Sequence, residues 1–126
     1  MKKVLIVIAD YYEDISSSLL KSAQKSLNNF SLKVIKVPGV FEIPVTISKN
    51  IKRYDAFIAL GCVIKGETPH FDFISTASTQ AIMKLSIEGK KPIGNGIITC
   101  LNKKQAKARS GKGKEAAKAV VSVLYQ

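Results

Sequence analysis

The stretch AFIALGCVIKGETPHFDFI (residues 56–74) opens as an apolar run and closes inside a helical pattern. From Ala56 to Ile64 it holds only hydrophobic residues and Gly61, as expected for a strand covered on both faces. Past the loop, Phe71, Ile74, Ala77, Ala81 and Leu85 form one helical stripe, with Gly89 as a C-cap. A buried strand running through a short loop into an amphipathic helix is one half of a βαβ unit. Three more apolar runs flank it: Val4–Ala9, Leu32–Val37 and Ile93–Thr99. Helical patterns follow each. Ile15, Leu19, Ala23 and Leu27 recur every fourth residue before Asn28 and Asn29, and Pro44 opens a short helix carrying Ile47 and Ile51. Ala116, Ala117, Val120, Val121 and Leu124 mark the last helix. Strand and helix thus alternate four times, which predicts an α/β fold: a four-stranded parallel sheet with helices on both faces. The 126 residues contain no repeat, linker or low-complexity tract, so residues 1–126 read as a single domain.

Ligands of such sheets bind beyond the carboxyl ends of the strands. That rule draws attention to the loop GETPH, which contains the only histidine of the chain. Thr68 is a good N-cap, and Pro69 falls at the first helical position, where its missing N–H costs nothing. His70 is then expected in the first turn, where the helix dipole favours a neutral ring able to exchange protons near neutral pH. Gly66 lets a ligand approach the backbone, and the free amides make an anion seat. The same pattern also fits an ordinary capped helix with an incidental histidine.

At the second strand end, VPGVFEIP (residues 37–44) turns at Pro38-Gly39. The residue before Pro44 is biased to β, so Phe41–Ile43 is expected to run extended at the rim. Such a segment offers backbone groups to a flat polar heterocycle, Phe41 a ring face, and Glu42 an acceptor for hydroxyls. A plain loop with one buried aromatic is the alternative. Tyr11 and Tyr12 can stack on an aromatic ligand or pack at an interface. In ARSGKGKEAA (residues 108–117), Arg109, Lys112 and Lys114 surround two glycines, a setting for phosphate or for a solvated basic loop.

Composition removes several classes. No apolar run approaches the ~18–20 residues that cross a bilayer, so no membrane partner is expected. MKKVLIVIADYYED (residues 1–14) superficially resembles a secretory leader, but acids follow its short apolar run at once, so it reads as a first strand. Cys62 and Cys100 lack CxxC spacing and read as buried free thiols of a cytoplasmic protein. One histidine and two separated cysteines make no metal site, and neither a Walker A pattern nor GxGxxG is present. Net charge is +11, and between Lys84 and Lys118 ten Lys or Arg face only Glu88 and Glu115. Such a surface attracts anions, although most of these lysines are expected on a solvated face. The basic third lacks aromatic interleaving, so specific nucleic-acid binding is not expected.

PGVFEIP, DAFIALGCVIKGETPHFDFIS, KPIGNGIIT and QAKARSGKGKEAA, in this order and spacing, resemble the 6,7-dimethyl-8-ribityllumazine synthase family over nearly the whole chain. The resemblance implies a flavodoxin-like three-layer sandwich and a cofactor-independent transferase of riboflavin biosynthesis. The implied reaction condenses 5-amino-6-(D-ribitylamino)uracil with 3,4-dihydroxy-2-butanone 4-phosphate, releasing phosphate and water. It implies Tyr12 stacking on the pyrimidine, with Phe41, Glu42, Ile43, Cys62, Val63 and Ile64 lining the same substrate. It implies Glu67 and Thr68 at the phosphate, His70 transferring protons, and Arg109 clamping the phosphate from a neighbouring subunit, with Lys112 beside it. Asn95 stands where many members carry a phenylalanine over the pyrimidine, and Gly111 where asparagine is usual. The family's sites lie between subunits of a homopentamer. A first strand beginning at Lys3 then implies a free pentamer or a pair of pentamers rather than a 60-subunit shell, with riboflavin synthase as a candidate contact. A rival of another class is a pentamer that holds flavin or lumazine without making it, but storage needs neither His70 nor Arg109.

Overall fold

The computed structural model describes residues 1–67 and 70–126. The expected N-cap Thr68 and helix-opening Pro69 lie outside the described residues. The elements run β1 (Lys3–Ala9), α1 (Glu13–Gln24), β2 (Ser31–Val37), a 3-10 turn (Val40–Glu42), α2 (Ile43–Asn50) and β3 (Ala56–Ile64). Then come α3 (Phe71–Gly89), β4 (Ile93–Cys100), α4 (Lys103–Ala108) and α5 (Lys112–Leu124). All pairings are parallel, in the order β2-β1-β3-β4, as the flavodoxin-like expectation requires.

The two central strands divide their side chains with period two between two cores. Val4, Ile6, Ile8, Ile58, Leu60, Cys62 and Ile64 meet Ile15, Leu19 and Ala23 of α1 and Ala116, Ala117 and Val120 of α5. Leu5, Val7, Ala9, Phe57, Ala59 and Val63 meet Ile43 and Ile47 of α2 and Ile82 of α3. Three layers result. Each fully buried Ile or Leu contributes about 1.5–3 kcal/mol relative to exposure, and these two faces hold most of them. Burial on both faces is complete only for β1 and β3. The edge strands β2 and β4 leave alternate or scattered residues in solvent, because their faces are less fully covered than those of the central strands.

Three local expectations change. Phe41–Ile43 is not extended: Val40–Glu42 forms a 3-10 turn and Ile43 begins α2, with Pro44 in its first turn. An extended chain would point Val40 and Ile43 to opposite sides, whereas winding brings both, with Ile47, onto the sheet. His70 is not in the first turn of α3. It is the N-cap, in a left-handed conformation at φ 64°, and the helix begins at Phe71. At the other end of α3, Gly89 is the last helical residue, and the left-handed turn falls to Lys90. A side chain at Gly89 would collide with Ile51, so close packing rather than a turn explains that glycine.

The short α4 was absent from the periodicity. Its Asn102 caps it, the Oδ1 accepting from the Gln105 amide at 2.9 Å, while Gln105 Oε1 accepts from the Leu101 amide at 2.8 Å. Among the described residues, no helix is long and apolar enough to cross a membrane.

Candidate active site

The connection leaving β2 crosses over β1 to reach β3, so the strand order reverses direction between β1 and β3. A cavity of about 230 Å³ lies at that point, beyond the carboxyl ends of the strands. Tyr11 comes from the end of β1, Gly39, Val40 and Phe41 from the turn after β2, Cys62 and Val63 from the end of β3, Glu67 from the next loop and Ile74 from α3. Gly61 makes this closeness feasible, because a Cβ there would stand 2.8 Å from Val40 Cγ2. The walls are mostly apolar, and Tyr11 and Phe41 are 71% and 70% exposed, two rings set out from the core at a cavity mouth.

Four expected residues thus come together here: Phe41, Cys62, Val63 and Glu67. Glu42 sits beside them, half-buried, as the residue before α2. Ile43 and Ile64 are fully buried, their side chains committed to the two cores. The amide of Ile43 donates to the Val40 carbonyl, and the Ile64 carbonyl accepts from the Glu67 amide at 3.2 Å.

Tyr12 is placed differently from a stacking residue. It is 8% exposed, packs in the core shared by α1 and α5, and donates its hydroxyl to Glu67 Oε1 at 3.3 Å. The ring that lines the cavity belongs to Tyr11, which meets Tyr12 edge to face at 4.9 Å. Spacing alone does not assign the two rings: the fourth-residue repeat Ile15, Leu19, Ala23 steps back to Tyr11, but the helix begins only at Glu13, and Tyr12, the extended residue before it, turns its own ring into the core.

Among its described residues, the loop after β3 carries two left-handed ones, Gly66 at φ 86° and His70 at φ 64°. Histidine visits this region more readily than most residues. The His70 carbonyl accepts from the Ile74 amide at 2.9 Å, and its exposed ring lies 6.0 Å from that of Phe73. The imidazole is thus exposed and lines neither the aromatic cavity nor the cavity beside Arg109.

Cys62 and Cys100 are free and buried, on the same sheet face of adjacent strands. Burial and then the neighbouring Cys100 thiol push Cys62 up from 9.0 to about 12, with smaller contributions from Glu67 and Asp14. A thiol so strongly protonated is a poor nucleophile at neutral pH.

The basic residues occupy a different place. Arg109 and Lys112 line a second cavity, of about 450 Å³, with Thr99 of β4, Gly111 and Glu115. Arg109 Nη1 donates to the Thr99 carbonyl at 3.0 Å. Asn95 lies exposed on the same edge strand, its Oδ1 accepting from the Ile97 amide at 3.0 Å. A single chain therefore does not gather the expected residues into one cleft: an aromatic cavity and a cationic one are lined by different residues. Among the described residues, no group of three or more His, Cys, Asp or Glu is arranged to hold a metal ion.

The family described as 6,7-dimethyl-8-ribityllumazine synthase matches the chain over residues 1–126. Curated relatives carry the same description. The protein of Nitrobacter hamburgensis is 41% identical over 136 aligned residues, covering 97% of this chain and 83% of the relative. That of Bartonella tribocorum is 43% identical over 131, covering 96% and 87%. That of Corynebacterium kroppenstedtii is 40% identical over 111, covering 86% and 70%.

Proposed function

Because the chain belongs to the 6,7-dimethyl-8-ribityllumazine synthase family, we propose that it condenses 5-amino-6-(D-ribitylamino)uracil with 3,4-dihydroxy-2-butanone 4-phosphate to give the lumazine. One observation carries the geometric side of this reading: the chain offers one cavity faced by aromatic rings and one faced by cations. The two substrates are a flat heterocycle and a phosphate ester, and each cavity suits one of them.

The 5-amino group attacks the ketone carbon, and loss of water leaves an imine. Inorganic phosphate departs with its bonding electron pair, and ring closure with loss of water completes the second ring. Every step is a condensation or an elimination, so no external oxidant or reductant enters. Tyr11 and Phe41 hold the pyrimidine by its faces, Cys62 and Val63 form its apolar floor, and Glu42 accepts from ribityl hydroxyls. Exposed Asn95 replaces a ring face with an amide, which leaves stacking to Tyr11 and Phe41. Ile43 and Ile64 support the cavity from below. His70 moves protons at the amine and at the carbonyl oxygen, and Arg109 and Lys112, with the loop at Glu67 and Thr68, receive the phosphate.

The two cavities then meet across an interface between copies of the chain, in a pentamer or a pair of pentamers. The exposed apolar residues Phe73, Met83 and Ile87 along α3 support packing of that helix against a neighbouring copy. Buried free thiols fit a reducing cytoplasm. Riboflavin synthase, which would take up the product, is a candidate contact.

Mixing both substrates with purified protein and following lumazine absorbance and fluorescence tests the reading, with mass photometry on the same sample. Lumazine formed by particles of pentamer mass or a multiple is the expected result. Folded, assembled protein that yields none would overturn it.

A further inference from the structure

Cys62 and Cys100 are the only cysteines of the chain, and both are free and buried. In the β3–β4 ladder Cys62 pairs with Ile98 and Cys100 with Ile64, so the two are diagonal neighbours on adjacent strands. Both belong to the core shared by α1 and α5, which puts them on one face of the sheet. One strand across and two residues along is roughly 8 Å between Cα atoms. A disulfide needs Cα atoms within about 7 Å, so these sulfurs are not set for direct bonding. A metal ion between them relaxes that limit: two thiolate bonds of about 2.3 Å in line hold their sulfurs about 4.6 Å apart.

Access comes from one side. Cys62 forms part of the wall of the aromatic cavity, which opens past the exposed rings of Tyr11 and Phe41, while Cys100 is almost wholly sealed. Burial first, then the Cys100 thiol, Glu67 and Asp14 keep Cys62 protonated. Surroundings that resist a lone thiolate accept a cation bound between two sulfurs, whose charge cancels theirs. Ligand count then selects the ion. Structural zinc takes four ligands and iron–sulfur clusters take four thiolates. The chain has two cysteines and, among the described residues, no group of three or more His, Cys, Asp or Glu arranged for a metal. Two thiolates alone suit a soft d10 cation that binds in line, such as Cu(I) or Hg(II).

We propose that Cys62 and Cys100 form a two-coordinate site for a soft d10 cation, entered from the aromatic cavity. Loading is an exchange without oxidation: two S–H bonds break, two sulfur–metal bonds form, and two protons pass to solvent. With a divalent ion the product is neutral, which a buried site favours. The ion stands at the wall on which the pyrimidine is to rest, so loading and heterocycle binding compete. The site itself does not depend on the synthase reading.

The test titrates the native protein with Hg(II), following thiolate-to-metal charge-transfer absorption and proton release in weakly buffered solution. One ion per chain and about two protons per ion are expected. X-ray absorption of the loaded protein should show two sulfur neighbours around each ion. Two ions per chain, or one sulfur per ion, would overturn the site, since each thiol would then bind alone. Zn(II) at the same concentration should not load, and zinc held as firmly as mercury would overturn the two-coordinate geometry. Cys100→Ala should weaken Hg(II) binding by about 100-fold or more, the usual worth of a second tethered ligand, and undiminished affinity would overturn the pairing. Should that variant fail to fold, the wild-type sulfur count decides by itself. In protein shown by calorimetry to bind the aminouracil, that compound at about ten times its Kd should slow loading about tenfold, and an unchanged rate would remove the cavity as the entrance. A wild type that makes no lumazine but carries one ion on two sulfurs defeats only the synthase reading.

Discussion

Arg109 donates from Nη1 to the carbonyl oxygen of Thr99 at 3.0 Å, so the residue after α4 is tied to the open edge of the sheet. A guanidinium has five N–H donors in a rigid fork. One spent on Thr99 orients the fork and leaves the others for a ligand.

The first prediction follows from that geometry. Arg109→Ala should raise the KM for the butanone phosphate by about 10–100-fold, the usual worth of hydrogen bonds to a charged group. The aminouracil KM should stay within about twofold. Arg109→Lys should recover only part of the loss, because an ammonium keeps the charge but not the fork. Steady-state kinetics with each substrate varied separately decide it: a selective loss of aminouracil affinity in Arg109→Ala would remove Arg109 from the phosphate seat.

On the proposed reading, His70 and Arg109 mark the two halves of the site, one on the loop after β3 and the other beside the outer edge of β4. If sites form between copies, chains carrying His70→Ala and chains carrying Arg109→Ala should complement each other when assembled together. Random mixing in a ring gives roughly a quarter of interfaces with both side chains intact, so activity should return to about that fraction of wild type. Activity of the mixture no higher than that of the separate variants would mean that each chain works alone.

The same His70→Ala variant, assembled alone, should retain turnover reduced by about 10–10³-fold. General acid–base help is typically worth ~10²–10⁴, while positioning of the two substrates persists without it. Single-turnover rates measured at saturating concentrations of both substrates isolate this loss from binding. Undiminished rates would leave His70 as a cap residue only.

The fold was legible because β1 and β3 are central: Val4–Ala9 and Ala56–Ile64 are buried on both faces, and their unbroken apolar runs say so directly. The edge strands were legible for a weaker reason, their position between helical stripes. Where the reading went astray, a tertiary contact outweighed a local rule. Proline disfavours helix in the residue before it, yet Ile43 is helical because Val40, Ile43 and Ile47 bury together only when wound. The pair Tyr11 and Tyr12 differs by one residue in sequence and by a whole environment in space. Either ring is a plausible stacking face until the tertiary structure, in which extended Tyr12 precedes α1 and packs in the core, separates them. The separation of Arg109 from the aromatic cavity was not legible from composition, since ten cations between Lys84 and Lys118 give no direction to any one of them.

Tyr11 is therefore the aromatic whose removal should be felt by the heterocycle. Aromatic pairs contribute about 0.5–1.5 kcal/mol beyond their buried area, so Tyr11→Ala should weaken aminouracil binding by about 10-fold and Tyr11→Phe by less than about threefold. The ring is exposed in the free chain, so the melting temperature should barely move in either variant. Tyr12→Ala should behave oppositely in this respect, lowering the melting temperature because it empties a buried site. Equal binding by Tyr11→Ala and wild type would show that the pyrimidine does not stack there.

Cys62 gives a prediction in pH. Its thiol is held up to about 12, chiefly by burial and next by the Cys100 thiol, against 9.0 for a free thiol. The folded state thus keeps a proton that the unfolded chain gives up. Stability from this difference is complete below pH 9, where both states are protonated, and declines as pH rises through the interval from 9 toward 12. Melting temperatures measured between pH 8 and pH 11 should fall more steeply for wild type than for Cys62→Ala, although Cys62→Ala should begin from a lower value because it leaves a small void. Iodoacetamide labelling of the native protein at pH 8 should be far slower than that of the denatured chain, since the thiolate is the reactive form. Parallel alkaline slopes for the two proteins, together with labelling of Cys62 as fast as in the denatured chain, would show a thiol that neither burial nor Cys100 restrains.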